Sequence, residues 1–176
     1  MIIKSYEVKK NKSNFEKNNF FLLYGENLGL KKDINKFIIN EIKQKDNNIE
    51  IINLFENEII DDKEENFINL IYSGSLFSQK KIIIVNETTD KITKKISDIY
   101  EKYPKDTLLI FLSGILEKKS KLRDFFEKSK KTICIPCYLD NEKDLTLIAQ
   151  MELKKNNIVL SREAINLLIE KSNSDR

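Results

Sequence analysis

The sequence predicts an α/β domain, a five-stranded, mostly parallel sheet flanked by helices, with a small helical region after it. Short apolar runs alternate with amphipathic stretches, as they do where parallel strands are joined by crossover helices. After Pro136 the apolar runs stop and helical spacing takes over. Hydrophobic residues make up 40% of the 176 and charged residues 34%, enough apolar material for a substantial core and too much for wholesale disorder.

The strands are read at 20–24, 49–54, 81–85, 107–112 and 132–135, and the runs Ile82 to Val85 and Leu108 to Leu112 are expected to be buried on both faces. Leu30, Ile34, Phe37, Ile38 and Ile42 recur at three- and four-residue steps, as do Ile92, Ile96, Ile99, Tyr100 and Tyr103. Each set lines one side of a helix. Phe67, Leu70 and Ile71 mark a helix before the third strand, and Leu122, Phe125 and Phe126 one before the fifth. Beyond Pro136, Leu145, Ile148, Ala149 and Leu153 suggest a further helix, and Ser161 caps another through Ala164, Ile165, Leu167 and Leu168. The reading therefore divides the chain into an α/β domain, 1–138, and the start of a small helical domain, 139–176, which is expected to be cut short.

Charge excludes little. The 31 basic residues against 28 acids give a net charge of +3, too small to announce nucleic-acid binding. Only Arg123, Arg162 and Arg176 offer guanidinium forks, so any DNA contact is expected to be diffuse. The lysine runs read as solvated faces. No apolar run approaches a signal peptide or a membrane span, and the expected location is cytoplasmic.

An ATPase needs Gly-x-x-x-x-Gly-Lys-Ser/Thr after its first strand, because backbone amides wrap the phosphates, the lysine binds their charge and the hydroxyl holds magnesium. Here the turn runs from Gly25 through Glu26, Asn27, Leu28, Gly29 and Leu30 to Lys31, Lys32 and Asp33. Gly25 and Gly29 are one residue too close, no hydroxyl stands beside Lys31 or Lys32, and Glu26 brings negative charge. This is a degenerate phosphate loop that is not expected to bind nucleotide. Asn86 and Glu87 end the third strand where such enzymes place metal-holding acids, and Glu87 alone is not a hydrolytic site. Cys134 and Cys137 form a Cys-x-x-Cys, but they flank a proline at a strand end and the chain has no histidine, so buried thiols fit better than a redox pair or a zinc site. No catalytic residue, metal or cofactor is expected. Leu76 and Phe77 are two large apolar residues in a polar turn, Ser73 to Gln79, and read either as core or as an anchor for a partner's pocket.

Several segments, in order, resemble the delta subunit of the bacterial DNA polymerase III clamp loader. Phe21-Leu22-Leu23-Tyr24-Gly25-Glu26 is similar to that family's first strand and degenerate phosphate turn. Ser75-Leu76-Phe77 followed by Lys80 to Val85 is similar to its clamp-binding turn and next strand. Leu116 to Leu122 resembles a recurrent Leu-x-Lys-Arg-Ser-Lys-Leu stretch, with Lys119 replacing Arg. The resemblance implies an AAA+ fold with sheet order five-one-four-three-two, a helical second domain, and a C-terminal collar domain that is absent here. It also implies a non-catalytic subunit of the polymerase holoenzyme, without ATPase activity of its own. Ser75, Leu76 and Phe77 would bind the ring-shaped sliding clamp (beta subunit) and favour its open form. Further partners would be loader subunits of the gamma/tau and delta prime type, with DNA touched weakly or indirectly. Two other readings stay open, a nucleotide-hydrolysing P-loop enzyme with an irregular loop and a scaffold domain in which Leu76 and Phe77 are core.

Overall fold

The computed structural model describes residues 1–15, 17–44, 48–61, 64–74 and 80–172. Strands β1 (Phe20–Tyr24), β2 (Ile49–Phe55), β3 (Lys80–Thr88), β4 (Thr107–Ser113) and β5 (Thr132–Pro136) form one sheet in the order β2-β3-β4-β1-β5, with every neighbouring pair parallel. Read from the other edge, this is the order the resemblance implied, and the architecture is that of the AAA+ type. β1 sits between β4 and β5, with Leu22 opposite both Phe111 and Cys134.

Alternation along the strands divides the core into two layers. Phe20, Leu22, Ile83, Val85, Leu109 and Phe111 face one side, where Phe67 and Ile71 of α3 (Glu64–Tyr72), Ile96 and Ile99 of α4 (Thr93–Tyr100), and Leu122 and Phe126 of α5 (Lys121–Lys128) cover them. Phe21, Leu23, Ile82, Ile84, Leu108 and Ile110 face the other, under Leu30, Ile34 and Ile38 of α1 (Leu28–Lys43). That second layer is completed by Val8 and Phe15 from a 3-10 segment, Ser5–Asn14, and the residue after it. The segment is mostly polar and buries only Val8, so it carries no periodicity to read in the sequence. A short helix α2 (Glu56–Asp61) was equally silent; its buried Glu56 accepts from the amide and hydroxyl of Thr89, both at 2.7 Å.

The structure corrects three local expectations. β3 continues through Asn86 and Glu87 to Thr88, with a register shift against β4 and Glu87 at φ 56. α4 ends at Tyr100; Tyr103 lies in the turn beyond it and meets the Phe20 ring edge-on at 4.7 Å. The lysine runs are not wholly solvated, since Lys31 and Lys81 are only 6% and 5% exposed. The Leu116 to Leu122 stretch has a structural use. Ser120 caps α5, its hydroxyl donates to Asp90, and the Leu122 amide donates to the same carboxylate at 3.0 Å. Burial raises the Asp90 carboxyl, but these bonds and the Lys121 charge outweigh it and hold the group below its ordinary range.

After β5 come α6 (Glu142–Lys155), opened by a capping box between Asn141 and Asp144, and α7 (Arg162–Lys171), capped by Ser161 as expected. The two helices touch each other, yet Leu147, Met151, Val159, Leu167 and Leu168 remain exposed.

Lys81 fixes the end of α3. Its amine donates to the carbonyls of Leu70 and Ser73, both at 2.7 Å, while the Thr107 hydroxyl donates to that of Ile71 at 3.3 Å. These are carbonyls at the end of a helix that lack helical partners, and a buried cation is well placed to satisfy them. Lys81→Met keeps the stem and strands the acceptors. Urea unfolding should show a loss of about 1–3 kcal/mol.

Candidate functional site

Two places were singled out by sequence, the turn after β1 and the segment before β3. Ser75, Leu76 and Phe77 lie outside the described residues. Their flanks are described, with Gly74 following the pinned end of α3 and Lys80 opening β3.

The turn after β1 is built against the end of β5. Gly25 has φ 134, and a Cβ there would lie 2.1 Å from the carbonyl oxygen of Cys137. Only glycine fits both the conformation and the contact. The Gly25 amide donates to the Gly114 carbonyl at 2.9 Å, and the Cys137 amide to that of Tyr24 at 2.7 Å. The turn is thereby tied to the chain leaving β4 and to the chain leaving β5.

Counted from Gly25, Leu30 stands where the phosphate motif has its second glycine, Lys31 at its lysine and Lys32 at its hydroxyl residue. Gly29 falls inside the first turn of α1. Asn27 is the N-cap, and its side-chain oxygen accepts from the Leu30 amide at 2.9 Å. The other end of the same buried side chain donates to the Tyr138 carbonyl at 3.2 Å and to the Asp140 carboxylate at 2.7 Å. The start of α1, where a phosphate would be received, therefore holds the protein's own amide and carboxylate. Lys31 is turned inward, its amine donating to the Ser113 carbonyl at the end of β4 at 2.7 Å. Burial lowers its pKa, partly offset by Cys137 and Glu26. Glu26 and Lys32 are exposed. A triphosphate needs free amides, a free ammonium and a magnesium hydroxyl; these residues do not fit it.

Beside the turn, the Arg123 guanidinium lies 5.1 Å from the centre of the Tyr24 ring and bonds Glu127 at 2.7 Å. Tyr24 has its phenol pushed up, first by burial and then by the hydroxyl of Tyr138 at 3.4 Å. Cys134 and Cys137 are both free and buried, and burial pushes the Cys134 thiol up to about 12. At neutral pH such a thiol is not a nucleophile. Among the described residues, no group of three or more Cys, Asp or Glu side chains is placed to hold a metal, and no helix is long and apolar enough to cross a membrane.

Asn27, Asp140 and Lys81 were not singled out by the sequence. Asn27 had a signal, since an asparagine directly before a helical repeat is a capping residue. The other two had none, because their partners are distant in the chain.

Comparison with known proteins places this geometry. Residues 21–138 match the family profile described as DNA polymerase III, delta subunit. The chain belongs to that family. A probable DNA polymerase III subunit delta from Rickettsia prowazekii is 26% identical over 153 residues, which cover 84% of this chain and 43% of that protein. The Bacillus subtilis DNA clamp loader delta protein superposes with a TM-score of 0.56 at 16% identity, covering 94% of this chain and 51% of the other. Domain III of the Thermotoga maritima replication initiation protein DnaA gives 0.59 at 12% identity, over 97% of this chain and 76% of its own. These superpositions establish the shared fold. The chain spans about half the length of the delta proteins it matches.

Gly25 is required in this turn both by its φ of 134 and by its contact with the Cys137 backbone. Gly25→Ala should cost at least about 2 kcal/mol in urea unfolding, because a β-carbon meets rigid backbone as well as an unfavourable φ.

Proposed function

We propose that this chain is the clamp-binding part of a clamp loader. Ser75, Leu76 and Phe77 enter an apolar pocket of the sliding clamp, and the α/β domain, 1–138, is their rigid mount. The single observation that carries this reading is family membership over 21–138, a span that includes those three residues. The anchoring of both flanks supports it, with α3 pinned by Lys81 and Thr107 on one side and β3 starting at Lys80 on the other. A paired aliphatic and aromatic side chain on a fixed base loses little entropy on binding, which favours a preformed groove.

To open a ring, the Leu76–Phe77 wedge must bind the open or strained clamp more tightly than the closed one, because equal affinity shifts no equilibrium. The chain itself does no chemistry. Gly25, Gly29, Lys31 and Lys32 form a structural turn rather than a nucleotide site, a reading supported by the inward-facing Lys31 and by the Asn27–Asp140 bond. Gamma/tau and delta prime type subunits supply the ATP-driven motion, DNA is met weakly or through them, and residues 139–176 begin a helical second domain.

Binding to the sliding clamp of the same organism tests the proposal. Leu76→Ala/Phe77→Ala should keep the wild-type thermal midpoint and bind at least about 30-fold more weakly, the loss of about 2 kcal/mol expected of a central anchor. Equal binding by both proteins would defeat the site assignment, and unfolding of the variant would place the pair in the core. Titration with labelled ATP and magnesium should show no saturable micromolar binding; binding lost on Gly25 or Lys31 substitution would favour the nucleotide-hydrolysing reading.

A further inference from the structure

In a parallel sheet all strands begin at one edge, so the starts of β1, β3 and β4 lie together, opposite the edge that carries the Gly25 turn. At the starting edge is a cleft of about 420 Å³ between the 3-10 segment, the end of α1 and the first residues of these strands. Its apolar lining is Phe15, Ile42, Ile82 and Leu108, beside the buried Lys81 and Thr107, whose polar atoms are already bonded to the end of α3. The rim carries the exposed lysines 12, 80 and 105.

The rim is unevenly neutralised. Lys12 pairs with Glu41 at 3.3 Å, and Asp106 adds a second acid. Among the described residues, neither Lys80 nor Lys105 has an ion-pair partner. The result is an apolar patch beside two uncommitted ammonium groups, in a volume suited to a few side chains. A duplex or single strand tracks a continuous basic surface and stacks on exposed rings; here Phe15 is buried and an acid interrupts the rim. An acidic peptide segment with one apolar side chain matches both features.

Position supplies the partner. Lys80 directly follows the turn that carries Leu76 and Phe77, and a chain of three residues reaches at most about 10 Å. Anything that accepts those two side chains is thus brought to the mouth of the cleft. We propose that the cleft receives an acidic, apolar-tipped surface segment of the sliding clamp, as a second contact beside the Leu76–Phe77 anchor. This rests on the clamp-binding reading above. The second contact adds charge-steered association and register to an anchor that is itself apolar.

The test is a titration of the chain with the clamp at low and at high salt, comparing wild type, Lys80→Glu/Lys105→Glu and Leu76→Ala/Phe77→Ala. The lysine variant should retain the wild-type thermal midpoint, since both side chains are exposed. It should bind about tenfold more weakly at low salt and show a flatter salt dependence, as expected when attractive rim charges are reversed. Chemical acetylation of Lys80 and Lys105 should be slowed by bound clamp. Unchanged affinity, salt slope and acetylation in a chain that still needs Leu76 and Phe77 would overturn the cleft proposal alone. Wild-type binding by the Leu76→Ala/Phe77→Ala variant would instead overturn the reading beneath it. Loss of DNA binding by the lysine variant, with clamp binding intact, would assign the lysines to nucleic acid and reject the proposal.

Discussion

The contact between Gly25 and the carbonyl of Cys137 is the constraint on which the rest of this end of the molecule depends. Because no Cβ intervenes, the chain leaving β1 lies directly on the chain leaving β5. That closeness lets Asn27 reach Cys137, Tyr138 and Asp140 with its backbone and side chain together. It also starts α1 where Leu30, Ile34 and Ile38 fall on the sheet. A single backbone approach therefore sets the turn, the helix register and the path toward α6.

The opposite edge is organised by charge rather than by close approach. Lys81 is buried where β3 begins, and its ammonium is compensated by the carbonyl oxygens at the end of α3. A helix end concentrates partial negative charge, so a lysine there is stabilised without any carboxylate. The two edges thus perform separate tasks. One closes the turn after β1 on the protein's own side chains, and the other fixes the end of α3 beside the start of β3.

The sheet was legible because its strands are nearly uninterrupted apolar runs. Ile82 to Val85 and Leu108 to Phe111 are buried on both sides as their composition required, whereas Leu112, expected to be buried with them, is only partly so. Strand order was not in the residues themselves; it came from the resemblance, since hydrophobic pattern does not say which strand lies beside which. The polar residues were harder for a related reason. Lys31 and Lys81 look like any other lysines in a lysine-rich chain, and burial is decided by carbonyls supplied from elsewhere, Ser113 for the one and α3 for the other. Asn27 was readable as a cap, whereas its bond to Asp140 spans 113 positions. Tyr103 was misplaced because its packing on Phe20 imitates the spacing of a helix that has already ended.

The Asn27–Asp140 bond joins the turn after β1 to the residues just before α6. A bridge made by a bound nucleotide forms and breaks with the supply of that nucleotide. This one is made by two side chains of the same polypeptide, at a concentration the fold itself fixes. Its occupancy is consequently set by the fold alone and not by the concentration of any ligand.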